Sequence, residues 1–203
     1  MSNMFYILPY VGQVLLLAVL ATVMLGRLVN GTRQRMIFLA VLLLMGLFIP
    51  VSGLSAAQWL RSIVGDLSVV TLVIFANILA QRLFNFSLVE PSSRNILLLA
   101  TVLLGLVFYP LALGMSSFDP YQLGYSPVIL SVLLSLASIF AWLRDKRSLA
   151  IILLMPLIAF NLHLLESANL WDYLLDPILM IYAVVQSVLR LEFSRFNKDG
   201  STK

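Results

Sequence analysis

Apolar positions along this chain neither alternate as in a half-buried strand nor mark one face of an amphipathic helix. They run on, in seven stretches parted by short polar turns: 5–26, 36–54, 67–81, 95–115, 127–143, 148–165 and 173–188. Runs of this kind predict membrane-spanning helices, because a bilayer offers no partner to an unpaired backbone N–H or C=O, and about 20 residues are needed to cross. The third run is short. Fifteen residues separate Asp66 from Arg82, which at ~1.5 Å per residue covers about 22 Å of a ~30 Å core. The expectation is that residues 55–65 add turns to it, or that Arg82 reaches the headgroups from inside the core.

Composition agrees with the pattern: 61% of the 203 residues are hydrophobic and 11% charged, with a mean hydropathy of +1.01. Soluble domains carry about 25% charged residues. The formal charge of +4 therefore does not point to nucleic acid. Its meaning lies in its placement. Arg27, Arg33 and Arg35 follow the first run, Arg82 and Arg94 the third, Arg144, Lys146 and Arg147 the fifth, and Arg190, Arg195, Lys198 and Lys203 the seventh. Basic residues on short loops mark the cytoplasmic side. Twelve of the thirteen fall on one side, so the N-terminus is expected outside and the C-terminus in the cytoplasm; Arg61, beside Asp66, is the exception.

The first run has no Lys or Arg before it and no small-residue cleavage site after it, and so reads as a retained span. The sequons at Asn30 and Asn85 fall on the cytoplasmic side and carry no information. The fold class expected is thus all-α: a single transmembrane domain of seven helices over 1–203. It divides as three, one and three, with halves 5–82 and 127–190 joined by 95–115. A faint echo supports a parallel repeat. Ser55-Ala56-Ala57-Gln58-Trp59 precedes Asp66 in the first half, and Ser167-Ala168-Asn169-Leu170-Trp171 precedes Asp176 in the second. Parallel-repeat sugar carriers share this plan, but their Pro-Gln pair is absent here. The seventh run also lacks a Lys for a retinal Schiff base.

The chemistry available is sparse. The absence of Cys excludes disulfides, thiolate metal sites and thiol nucleophiles, and a single His excludes a bis-His haem, so no cofactor and no metal are expected. The interior polar residues Gln13, Thr71, Asn77 and Gln186 are neutral and offer no carboxylate relay. Acidic residues gather on the outer side as Asp66, Asp119, Glu166, Asp172 and Asp176. The densest group is Asn161, His163, Glu166, Asp172 and Asp176. The three-residue and four-residue spacings within it would put His163 with Glu166, and Asp172 with Asp176, on shared helical faces, suited to a divalent cation, a headgroup or acid–base work. Capping and solvation account for the same residues more simply, since Asp176-Pro177 reads as an N-cap followed by Pro at the first helical position.

Ser131, Ser135 and Ser138 form a stripe of small residues suited to close helix packing, or to a polar path. Trp59, Tyr109, Tyr121, Tyr125, Trp142, Trp171 and Tyr173 lie at run boundaries, as interfacial aromatics do. The stretch 82–94 is amphipathic enough to lie along the inner membrane surface. Taken together, the residues point to an accessory or scaffold protein of a bacterial inner membrane, serving envelope lipid or glycan machinery without a complete catalytic centre. Its expected partners are the lipid bilayer and other membrane proteins or further copies of itself. A small-solute or lipid carrier on the three-one-three plan is the alternative, and a membrane enzyme using the outer His and carboxylates a further one.

Overall fold

The structure, a computed structural model, describes residues 7–25, 31, 36, 50–51 and 53–200, with side chains at 10–24, 31, 36 and 53–190. Most of the second apolar run, the sequon at Asn30, and the side chains of Arg27, Arg33, Arg35, Arg195, Lys198 and Lys203 lie outside the described residues. Among those described the chain is all-α, with eight α-helices: α1 (Ile7–Leu25), α2 (Ala56–Val64), α3 (Val69–Phe84), α4 (Pro91–Pro110), α5 (Val128–Leu143), α6 (Arg147–Asn161), α7 (Leu170–Leu174) and α8 (Pro177–Gly200). A π-helical turn, Leu111–Met115, prolongs α4, and a 3-10 turn, Pro120–Gly124, precedes α5. Two-residue strands Pro50–Val51 and Leu54–Ser55 pair antiparallel ahead of α2.

One helix among the described residues, the 25-residue Pro91–Met115, is long and apolar enough to cross a membrane, with a mean hydropathy of 2.5 over an 18-residue stretch. Helices α3, α5 and α6 have 16, 16 and 15 residues, which is about 22–24 Å at ~1.5 Å per residue. The third run gains no turns from residues 55–65. These fold instead as α2, a separate helix with a Ser55/Gln58 capping box, closed by Gly65 at φ 76. A side chain there would be forced into the left-handed region. The seventh run is likewise cut, with Tyr173 in α7 and α8 starting at Pro177. Between them Leu175 is extended, and at Asp176, which directly precedes Pro177, the proline ring disfavours the helical region. The stretch 82–94 is no surface helix. Asn85 ends α3 with a φ of 54, and the next five residues form a loop pinned by buried Asn77, whose Oδ1 accepts from the Leu88 and Val89 N–H groups at 2.9 and 3.0 Å.

Helices α3, α4, α5, α6 and α8 alternate in direction, so their ends sort by charge. At one end Asp66, Asp119, Glu166, Asp172 and Asp176 meet around the starts of α3, α5 and α8. Arg82, Arg94, Arg144, Lys146, Arg147 and Arg190 belong to the other, where Lys146 Nζ lies 3.4 Å from Glu90 and donates to Ser92 at 2.8 Å. Packing joins α1 to α3, α4 to α8, and α5 to α6. Leu67, Val70, Ile74, Leu98, Leu170, Tyr173 and Leu179 are the largest fully buried apolar side chains. Outward faces between the two ends are apolar as well: Leu103, Leu106 and Val107 of α4, Val128, Leu133 and Leu136 of α5, and Ile181 of α8 are all exposed. The serine stripe belongs to packing at its inner member. Ser138 is buried and donates to the Ala150 carbonyl of α6 at 2.8 Å.

Candidate functional site

At the acidic end the polar side chains form one continuous mesh. Arg61, in the last turn of α2, reaches two carboxylates at once: Nε lies 2.6 Å from Asp66 Oδ1, and Nη2 lies 2.8 Å from Glu166 Oε1. Asp66 raises the Arg61 pKa further above its ordinary value through its hydrogen bond, which outweighs the opposing effect of burial, and Glu166 adds to the rise. Arg61, among the described residues the one Arg or Lys on the acidic side, thus ties the α2–α3 connection to the α6–α7 connection. From α1, buried Gln13 donates to the Gly65 carbonyl at 2.7 Å and anchors the same corner.

Asp176 is the centre of the mesh and is 5% exposed. Its Oδ1 accepts the Leu179 N–H at 2.8 Å, the N-cap bond that the Asp-Pro pair predicts for α8. Its Oδ2 accepts the Ser68 N–H at 2.8 Å and the Thr71 hydroxyl. One carboxylate therefore serves the first turns of two helices, α8 and α3, where helix dipoles favour negative charge. Ser68 caps α3 with its own side chain, its Oγ accepting from the Thr71 N–H.

Asp172 accepts the Tyr121 hydroxyl at 3.0 Å and the Ser167 hydroxyl at 2.5 Å. Burial, and then the charge of Asp172, push the Tyr121 phenol well above its usual range, so it stays protonated and acts as a donor. Asn169 is fully buried. It caps α7 through the Trp171 N–H at 2.9 Å and donates to the Tyr121 carbonyl at 3.0 Å, while the Trp171 indole donates to the Pro120 carbonyl at 2.9 Å. Trp171 and Tyr173 are thus interior side chains and not interfacial ones, whereas Trp59 and Trp142 remain exposed.

A cavity of about 300 Å³ opens among these groups, lined by Asp66, Ser167, Asp172 and Asp176 with Leu165, Leu175 and Pro177. Of the residues expected at the site, the structure brings Glu166, Asp172 and Asp176 into the mesh. It leaves out Asn161 and His163, whose bonds stay at their own helix end: Asn161 donates to the Leu157 carbonyl at 2.7 Å, and His163 Nδ1 lies 3.2 Å from the Asn161 carbonyl. Neither expected helical pairing forms. Asn161 is the last residue of α6, which separates His163 from Glu166, and α7 stops at Leu174, which separates Asp172 from Asp176.

His163 has a backbone role. Its φ is 51; its N–H bonds the Phe160 carbonyl and the Leu164 N–H bonds the Ala159 carbonyl, each at 3.0 Å, the paired bonds of a Schellman helix ending. Glycine suits such a left-handed position best and a β-branched residue worst. His163→Gly is expected to leave the melting temperature unchanged or raise it, and His163→Val to lower stability by roughly 1–2 kcal/mol. Thermal unfolding of the two purified variants checks this; equal loss in both would mean that the imidazole itself is needed.

Among the described residues no group of three or more His, Cys, Asp or Glu is placed to hold a metal ion. What sequence reasoning missed are the partners Ser68, Thr71, Tyr121 and Asn169. Two of these had a local signal: Ser68 stands three residues before Thr71 at a helix start, and Asn169 directly precedes the apolar turn of α7. The fold and site define an all-helical bundle whose polar side chains hold its own loops. Compared with protein-family models, curated proteins and solved structures, the chain matches none.

Proposed function

We propose that this is a multi-pass protein of a bacterial inner membrane, crossing seven times with its N-terminus outside and its C-terminus in the cytoplasm. It serves as an accessory or scaffold for envelope lipid or glycan machinery and carries no complete catalytic centre of its own. The observation that supports this most is how the side chains are sorted. Outward faces between the two ends are apolar, the described basic side chains other than Arg61 collect at one end, and the acidic end uses its carboxylates to join loops. Contiguous exposed apolar surface of this extent marks contact with lipid or protein. Helices of 15–16 residues fit a bilayer when α2, α7 and the 120–124 turn occupy the headgroup layer and the lipid thins locally, at a modest cost per ångström.

A stoichiometric partner, either an envelope enzyme of the membrane or a second copy of this chain, is expected to stay bound when the protein is cross-linked at native expression and purified in mild detergent. Deleting this chain should then lower the partner's activity. A solitary monomer under those conditions would sink the proposal.

A carrier on the three-one-three plan is the second reading, and one observation favours it. In each half a short helix, α2 or α7, leads into a capped long helix, α3 or α8, and the two long helices start side by side at Asp176. Ser68 stands where the second half has Asp176, so the echo pairs Asp176 with Ser68 and not with Asp66.

A further inference from the structure

At the basic end, away from the mesh, a groove of about 620 Å³ lies between α4, α5 and α6. Its size falls in the usual range of ligand sites, roughly 300–1,000 Å³. Small residues make it. Ala100 of α4 and Ala137 of α5, both exposed, leave a gap between the helices that larger side chains would close, while Leu97 and Leu149 form the buried wall and Phe140 one flank. The groove is open to the side, along the same faces that carry exposed Leu99, Leu103 and Leu136. Its lining is apolar except at one end, where Arg144 and Lys146 stand.

Those two cations are held by the backbone. Asp145 takes a φ of 57, the Asp145 N–H bonds the Trp142 carbonyl at 3.0 Å and the Lys146 N–H bonds the Ala141 carbonyl at 2.9 Å, a Schellman ending that fixes the residues on both sides of Asp145. Lys146 is shared with Glu90. Arg144 has no carboxylate partner among the described residues; its guanidinium lies over the Phe140 ring, 5.0 Å from the centroid, at the edge of the groove. An apolar slot open to lipid, ending in one paired and one unpaired cation at the cytoplasmic boundary, matches an acyl chain joined to an anionic headgroup. Basic pockets between spanning helices on that side recognise such headgroups.

We propose that the groove is a specific site for an anionic phospholipid, with an acyl chain along Ala100 and Ala137 and its phosphodiester at Arg144 and Lys146. The site rests on the bilayer reading above and gives the bundle a lipid of defined charge at its cytoplasmic edge.

The test uses the full chain in mild detergent, titrated with phosphatidylglycerol or with phosphatidylcholine of the same acyl chains and read by native mass spectrometry and melting temperature. Phosphatidylglycerol is expected to bind at least several-fold tighter and to raise the melting temperature. The Arg144→Gln/Lys146→Gln variant should lose roughly tenfold in that affinity, and Arg190→Gln, outside the groove, should lose little. Ala137→Trp, on an exposed face, should block both lipids. Binding that survives Ala137→Trp, or equal binding of the two lipids, overturns the site, as does displacement of the lipid by inorganic phosphate at millimolar concentration. Failure of the bilayer reading looks different: carbonate would release the chain from membranes, or a fluorescent protein fused after Lys203 would stay dark because that end lies outside.

Discussion

Replacing Asp176 with alanine will cost about 3–5 kcal/mol, much of the 5–15 kcal/mol by which a typical domain is stable. Three donors use that carboxylate, the Leu179 N–H, the Ser68 N–H and the Thr71 hydroxyl, and of these the Thr71 hydroxyl has a second acceptor in Ser68 Oγ at 3.0 Å. Loss of an N-cap costs roughly 0.5–2 kcal/mol, and each further buried donor left without a partner about 1–3 kcal/mol. Ser68 and Thr71 are both fully buried. Asp176→Asn keeps one oxygen for the α8 cap but turns an NH₂ group toward the start of α3, and should fall between wild type and alanine. The measurement is thermal unfolding in detergent, with the order wild type, Asn, Ala. If the alanine variant melts with wild type, Asp176 does not hold the two helices together.

Gly124→Ala should be nearly as damaging although it adds one methyl group. An ideal Cβ at Gly124 would lie 1.7 Å from Asn169 Oδ1, 2.6 Å from its Cγ and 2.8 Å from Trp171 Cδ1. The methyl fits only if Asn169 leaves, and with it go the α7 cap and the bond to the Tyr121 carbonyl. Overpacking of this kind costs about 1–3 kcal/mol and the cap a further 0.5–2 kcal/mol. Asn169→Ala removes two of the three clashing atoms and leaves the 2.8 Å approach to Trp171 Cδ1, so the double variant should lose clearly less than the sum of the two single losses. Neighbours that share an interaction fail to add. Additive losses would show that the two residues do not meet.

The damage expected at Asp176 and Gly124 shows how unevenly the site could be read from the chain. Asp176-Pro177 announces a helix start, and α8 starts there. That the same carboxylate also serves α3 depends on Ser68, 108 positions away, and no local pattern carries that. Arg61 was visible as the one basic residue on the acidic side, with Asp66 five positions on; its second partner, Glu166, could be known only once α2 and the α6–α7 connection lay side by side. The spacings around His163 and Asp172 misled for a related reason. A three- or four-residue interval places two side chains on one face only while the helix continues, and here a left-handed His163 and an extended Leu175 end it.

By itself the sequence determined what depends on composition and near neighbours: an all-helical chain, apolar runs close to the helices observed, acidic and basic ends, and starts and stops at Asp-Pro pairs and short polar turns. These follow from transfer free energies and backbone geometry, which act over a few residues. The tertiary structure alone decided which carboxylate meets which donor, that α2 and α7 stand as separate short helices, that Trp171 and Tyr173 are interior, that Gly124 must lack a side chain, and that Ala100 and Ala137 face a common groove. Each of these is a contact between segments far apart in the chain, set by the packing of whole helices, and hydrophobic patterning constrains which faces are buried without specifying the neighbour.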